Sequence, residues 1–184
     1  MRDAALPPEW QIDSWFNTAE PPGLAALRGR VVVAHAFQML CPGCVSHAVP
    51  QAERIHRDYA GDGVAVVGLH TVFEHHAAMT PVALEAFLHE YRVTHPVGVD
   101  RALDDGPIPA TMRAYGMRGT PTLMLFDRAG RLRLHEFGLL DDLRLGVILG
   151  RLLTEGSAAP GESTSPGAAG ADAPGCDDGG CALG

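Results

Sequence analysis

Cys41 and Cys44, in the stretch FQMLCPGCVSHAVP (37–50), are the side chains of this sequence whose type and spacing best suit covalent chemistry. A cysteine in the first turn of a helix meets backbone N–H groups without partners and the positive end of the helix dipole, and both favour thiolate over thiol. Cys41 stands at such a place, because a helical pattern begins just after it. Cα atoms three residues apart on a helix are about 5–5.5 Å apart, inside the range a disulfide needs. Cys44 can therefore resolve a mixed disulfide formed by Cys41. Pro42 presets the backbone for a helix start, and Gly43 leaves little bulk over the sulfurs. The competing reading is half of a zinc site, but no second CxxC or HxxxH lies at the usual loop distance, and the remaining cysteines, Cys176 and Cys181, sit near the C-terminus.

The elements that must position these sulfurs follow from hydrophobic patterning. RVVVAHAF (30–37) and GVAVVGLH (63–70) are continuous apolar, β-branched runs, as in strands covered on both faces. Between them Val45, Ala48, Val49, Ala52, Ile55 and Tyr59 recur at helical intervals, predicting a helix from the second half of CPGC to about Gly61, kinked at Pro50. Thr80 and Pro81 open another helix, with Leu84, Phe87, Leu88 and Tyr91 on one face, running to about Arg92. Residues 95–100 read as a strand, 109–116 as a short helix ended by Gly116, 121–138 as a hairpin turning at Asp127–Gly130, and Leu139 to Leu153 as a closing helix. The order βαβαβαββα predicts an α/β fold: a mixed sheet with helices on both faces and an antiparallel edge. Residues 1–28 are expected to be a lead-in that packs Trp10, Ile12, Trp15 and Phe16 on the core, and 29–154 the domain itself. Residues 155–184, rich in Gly, Ala, Pro and Ser, are expected to form a flexible, disordered tail.

A chain of 184 residues suits one domain with extra pieces, and a formal charge of −8 leaves no basic surface for nucleic acid or an anionic membrane. MRDAALPPEW lacks the apolar stretch of a secretory signal, and no long apolar run follows, so a soluble, cytoplasmic protein is expected. Four cysteines are too few for a disulfide scaffold, and in a reducing cytosol a close pair is more often catalytic or metal-binding. No cofactor and no resident metal are expected.

A second segment, YGMRGTPTLMLFDRAG (115–130), joins CPGC to make a family likeness. Over roughly residues 24 to 153 the chain resembles the thioredoxin-like superfamily, and its redoxin branch in particular: TlpA-type thiol–disulfide oxidoreductases and the alkyl hydroperoxide reductase/thiol-specific antioxidant relatives. The resemblance implies a thioredoxin fold in which the helix at 80–92 is an insertion. It also implies a cis bond between Thr120 and Pro121, which lays a backbone edge beside the sulfurs; an X-Pro bond takes the cis form at little cost. The implied reaction is disulfide exchange through Cys41 and Cys44, with Thr120, Pro121 and His35 at the site. The implied partners are a disulfide-containing protein or small thiol substrate and an unidentified recycling reductase or thiol.

Three positions depart from the family pattern. Leu40 stands where a tryptophan usually precedes the first cysteine. Five residues rather than four separate Cys44 from Pro50, which turns the kink by about 100° unless a bulge absorbs it. His35 replaces the buried aspartate six residues ahead of the first cysteine. It could take the proton of the resolving thiol, or simply be a core histidine held by a backbone hydrogen bond.

His70, Glu74, His75, His76 and Met79 gather after the second strand, where an acid or imidazole could tune Cys41 or a soft metal could bind; a solvated loop is the plainer reading. Cys176 and Cys181 could relay electrons to Cys41, clip a metal, or be idle or joined to each other as a tail disulfide. Two functions compete with disulfide exchange. A thiol peroxidase would use Cys41 on hydroperoxides, although Gln38 stands where that family's threonine is found. A non-enzymatic metal- or thiol-handling protein would use CPGC, the histidine loop and the tail cysteines.

Overall fold

The computed structural model describes residues 6–155, so the expectations for the tail, with Cys176 and Cys181, lie outside the described residues. Six strands form one sheet: β1 (Ile12–Phe16), β2 (Val31–Phe37), β3 (Val64–His70), β4 (Val97–Asp100), β5 (Thr122–Phe126) and β6 (Leu132–Phe137), in the spatial order β1-β4-β3-β2-β5-β6. β2, β3 and β4 run parallel, while β1, β5 and β6 pair antiparallel. β2 and β3 are buried at every position, which explains their unbroken apolar runs: neither face meets water.

The helices are α1 (Val49–Tyr59), α2 (Pro81–Glu90), α3 (Ala110–Ala114) and α4 (Asp142–Thr154). Ala52 and Ile55 of α1 and Leu145, Leu149 and Leu152 of α4 cover one face, against Val31, Val33, Val66 and Leu125. Leu84 and Leu88 of α2 extend that layer over Phe37 and Val97. Met112, Met117, Trp10 and Leu24 cover the opposite face, against Ala34, Val67, Met124 and Phe126. Asp100, at the end of β4, starts α3 by accepting from Thr111 N at 2.7 Å and Met112 N at 3.0 Å.

The mixed sheet with helices on both faces agrees with the sequence reading, with two differences. Within the lead-in, Ile12–Phe16 forms a strand, an element the sequence reading did not include. It lies at the sheet edge, is bulged between Ile12 and Ser14, and is only partly buried, so its alternation is blurred. α4 starts at Asp142 rather than Leu139, because Asp141 accepts from Arg144 N at 2.9 Å and caps the helix there. No helix among the described residues is long and apolar enough to cross a membrane.

Candidate active site

β2 delivers the chain through Gln38 to Cys41, which caps the helix that starts at Pro42. The Cys41 carbonyl accepts from Val45 N at 3.0 Å, closing the first turn, and Cys44 N donates to Cys41 Sγ at 3.3 Å. The helix start thus aims an amide at the first sulfur, the kind of partner an anion accepts. Cys44 Sγ donates to Cys41 Sγ across 2.6 Å. Cys41 is half-buried and Cys44 fully buried, both as free thiols. Burial, reinforced by the hydrogen bond to the Cys41 sulfur, pushes the Cys44 thiol up to about 12.

The extra residue between Cys44 and Pro50 is absorbed by a π-turn over Cys44–Ala48, in which Val49 N donates to the Cys44 carbonyl five residues back. On a regular α-helix residues five apart are turned about 140° from each other. The wider turn brings Cys44 and Val49 into the same buried cluster, together with Phe37 and Val97. Pro50 then falls in the first turn of α1, directly after the π-turn.

The Thr120–Pro121 bond is cis. Cys41 Sγ lies 3.6 Å from the Thr120 carbonyl, and a Cβ placed on Gly43 would sit 3.6 Å from Pro121 Cδ. The loop is tied by Thr122 Oγ1 donating to the Gly119 carbonyl at 2.7 Å and Gly138 N donating to the Pro121 carbonyl at 2.8 Å. Gln38, fully buried, joins three segments: its Nε2 donates to Thr120 Oγ1 at 3.5 Å and Glu74 Oε1 at 3.3 Å, and its Oε1 accepts from Phe73 N at 3.3 Å. Leu40, in place of the tryptophan, is 55% exposed beside the sulfurs, an aliphatic rather than aromatic surface.

His35 lies on the α1 side of β2, stacked on Phe37 with ring centres 5.1 Å apart. It is held by a side chain and not by the backbone: its Nε2 meets His95 Nε2 at 2.8 Å, and His95 Nδ1 meets Glu53 Oε2 on α1 at 2.8 Å. Burial, with His95 nearby, pulls the His35 imidazole well below its ordinary range. Burial alone would raise the Glu53 carboxyl, but hydrogen bonds from His95 and Thr94 outweigh it and bring it down to about 2. Gly68 makes room for this ring, since a Cβ there would lie 3.1 Å from His35 Nε2 and 3.0 Å from a Val97 methyl.

The histidine loop does not assemble as a cluster. His70 and Met79 are buried, whereas Glu74, His75 and His76 are exposed. Among the described residues no three His, Cys, Asp or Glu side chains converge as a metal site. Residues that are neighbours in sequence at 70–79 are thus separated in space by burial. His70 has no hydrogen-bond partner at either ring nitrogen, and burial lowers it to about 4.

Sequence reasoning singled out Cys41, Cys44, Thr120, Pro121 and His35; the fold sets Cys41 against Cys44 and the Thr120 carbonyl, Pro121 beside Gly43, and His35 with Pro121 on the wall of one small cavity. It missed Glu53, His95 and the bridging role of Gln38. A glycine inside an apolar strand signals a close approach, so Gly68 was a usable hint that a large side chain crosses there. Nothing local marks Glu53, whose side chain turns from α1 toward Thr94 and His95.

No family model matches the chain. It is 28% identical over 152 residues to Protein DipZ of Mycobacterium bovis and of Mycobacterium tuberculosis, covering 82% of this chain and 20% of each of those. The chain thus spans about a fifth of the length of the curated relatives it matches. The crystal structure of thioredoxin-like superfamily protein SPOA0173 is 57% identical and superposes with a TM-score of 0.79, covering 85% of this chain and 100% of that one. A thiol-disulfide isomerase from Corynebacterium glutamicum is 48% identical at a TM-score of 0.79, covering 84% of this chain and 99% of that one.

Proposed function

We propose, for a chain that belongs to the thioredoxin-like superfamily of thiol–disulfide oxidoreductases, that Cys41 and Cys44 are its redox couple and exchange disulfides with protein or small-thiol substrates. The observation that carries this reading is the asymmetric pair: one sulfur half-exposed at the mouth of a helix, the other fully buried and in contact with it, both beside Thr120–Pro121. In the reducing direction the Cys41 thiolate attacks one sulfur of a substrate disulfide. That S–S bond breaks, a Cys41–substrate bond forms, and the first substrate thiolate leaves and takes a proton. Cys44 then gives up its proton and attacks Cys41 Sγ, so the mixed disulfide breaks, the second substrate sulfur leaves as a thiolate that takes a proton, and the intramolecular disulfide forms. The substrate gains two electrons and the pair loses them; a thiol or reductase restores the thiols.

The likeness to the Corynebacterium glutamicum isomerase supports protein disulfides as the substrate class. Thr120 and Pro121 would flank the docked chain, and the exposed Leu40 would favour an aliphatic residue in it. Trapping tests the roles: Cys44→Ser should accumulate a mixed disulfide through Cys41 when offered reduced-and-reoxidised insulin, whereas Cys41→Ser should trap nothing. Trapping through Cys44 instead would reverse the assignment. In the cytoplasmic setting we propose, the couple should lie below about −250 mV, and a value near about −120 mV would make it an oxidant.

A further inference from the structure

The resolving thiol poses a chemical problem. Cys44 must be deprotonated to attack, yet it is buried, and β2, which leads to the cysteine pair, carries a buried histidine at position 35 and no carboxylate. What stands there is the end of a chain of three titratable side chains that begins at the surface. Glu53, on α1, accepts from Thr94 N at 2.9 Å and from His95 Nδ1 at 2.8 Å.

A carboxylate only accepts, so His95 carries a proton on Nδ1; in a pair of neutral rings its Nε2 is then a lone pair. The 2.8 Å contact between the two Nε2 atoms then requires the proton on His35 Nε2. Nδ1 of His35 is left as a bare lone pair, and that atom is the one on this ring with no hydrogen-bond partner. His35 is 2% exposed. It lines, with Ala48 and Pro121, a cavity of about 10 Å³, about the space of one water. Ala48 ends the π-turn that Cys44 begins, and Phe37, stacked on His35, packs in the same cluster as Cys44.

We propose that Glu53 and His95 are positioning residues of the exchange reaction: through them His35 is held in the neutral tautomer that takes the Cys44 proton, and that proton leaves to solvent through Glu53. The inference rests on the disulfide-exchange reading above. In the resolving step the Cys44 S–H proton passes to His35 Nδ1, His35 Nε2–H passes to His95 Nε2, and His95 Nδ1–H passes to Glu53. Glu53, whose side chain is 19% exposed, releases the proton to water. No net charge is left among the buried rings. The charged or titratable groups facing this chain are Glu53 and His56 on α1, with the His56 ring 5.9 Å from that of His95, and Arg30 ahead of β2, which acts on His56. β3 faces it with Gly68.

Two measurements on the full chain test the proposal. Long-range nitrogen–proton NMR of isotope-labelled histidine reads the tautomers directly. A neutral His35 protonated at Nε2 is expected near pH 7, and a proton on Nδ1 overturns the relay whatever the enzyme does. Kinetics supply the second arm. With Cys41 loaded as the mixed disulfide with 5-thio-2-nitrobenzoate, release of the coloured thiol reports attack by Cys44. Glu53→Ala should slow release on the order of tenfold and move its pH profile, while attack of Cys41 on the reagent in a Cys44→Ser background stays unchanged. Unchanged release, or equal slowing of both steps, overturns the positioning role. A wild-type adduct that never releases would instead overturn the exchange reading and leave the tautomer result standing.

Discussion

Burial divides two chemically identical side chains into different roles. Cys41 is half-exposed and accepts an amide from the helix start, whereas Cys44 has no solvent-accessible surface and its thiol is pushed up to about 12 by burial and by its sulfur partner. The thiolate is the species that alkylates. Iodoacetamide near pH 7.5 should therefore modify Cys41 in the folded protein and leave Cys44 untouched until the chain is unfolded, as read by peptide mass spectrometry. Equal labelling of both in the native state would show that Cys44 is neither buried nor held protonated.

Between Cys44 and α1 the decisive element is the π-turn. Five intervening residues fit because the turn widens at Cys44–Ala48, leaving exposed Ser46 at the bulge and returning Val49 to the core. Deleting Ser46 should let the segment close into ordinary helical turns, with Cys44 and Val49 then four apart and still on one face. The variant is expected to keep its melting temperature within about 4 °C, roughly 1 kcal/mol for a domain of this size. Deleting Arg54, beyond the turn, would rotate Ile55 and the end of α1 by about 100° away from β3. That variant should lose its cooperative transition. A collapse of both variants alike would mean that the wide turn is not where the extra residue is held. α1 also carries Glu53 to Thr94 and His95, so this one helix anchors both the sulfurs and the ring behind them.

At the scale of the whole molecule, two neutral buried imidazoles set the response to acid. His35 and His70 are both lowered by burial, His70 to about 4, while in the unfolded chain each binds its proton near 6.5. As pH falls through 6.5 the unfolded state takes up protons that the folded state refuses, so stability present at pH 7 is lost on acidification. For His70 alone the loss by pH 4 is on the order of 2–3 kcal/mol. Glu53, lowered to about 2, adds a further loss below its unfolded value of 4.5. Urea midpoints should fall steadily from pH 7 to 4, and His70→Leu should flatten that fall. A wild-type midpoint constant across this range would place both rings in water rather than in the core. The sequence by itself determined the strand and helix order and the CxxC pair, because apolar runs, helical periodicity and a three-residue cysteine spacing are local properties. It also carried, in Leu40, His35 and the five-residue gap before Pro50, the three positions where the site departs from its family. Only the tertiary structure decided what those departures mean. β1 exists through its pairing with β4, and Gln38 acts by joining loops 35 and 82 positions away. His35 meets His95 across 60 residues, and His95 meets Glu53 across 42. Such partners are chosen by packing in three dimensions, and no local pattern along the chain encodes them.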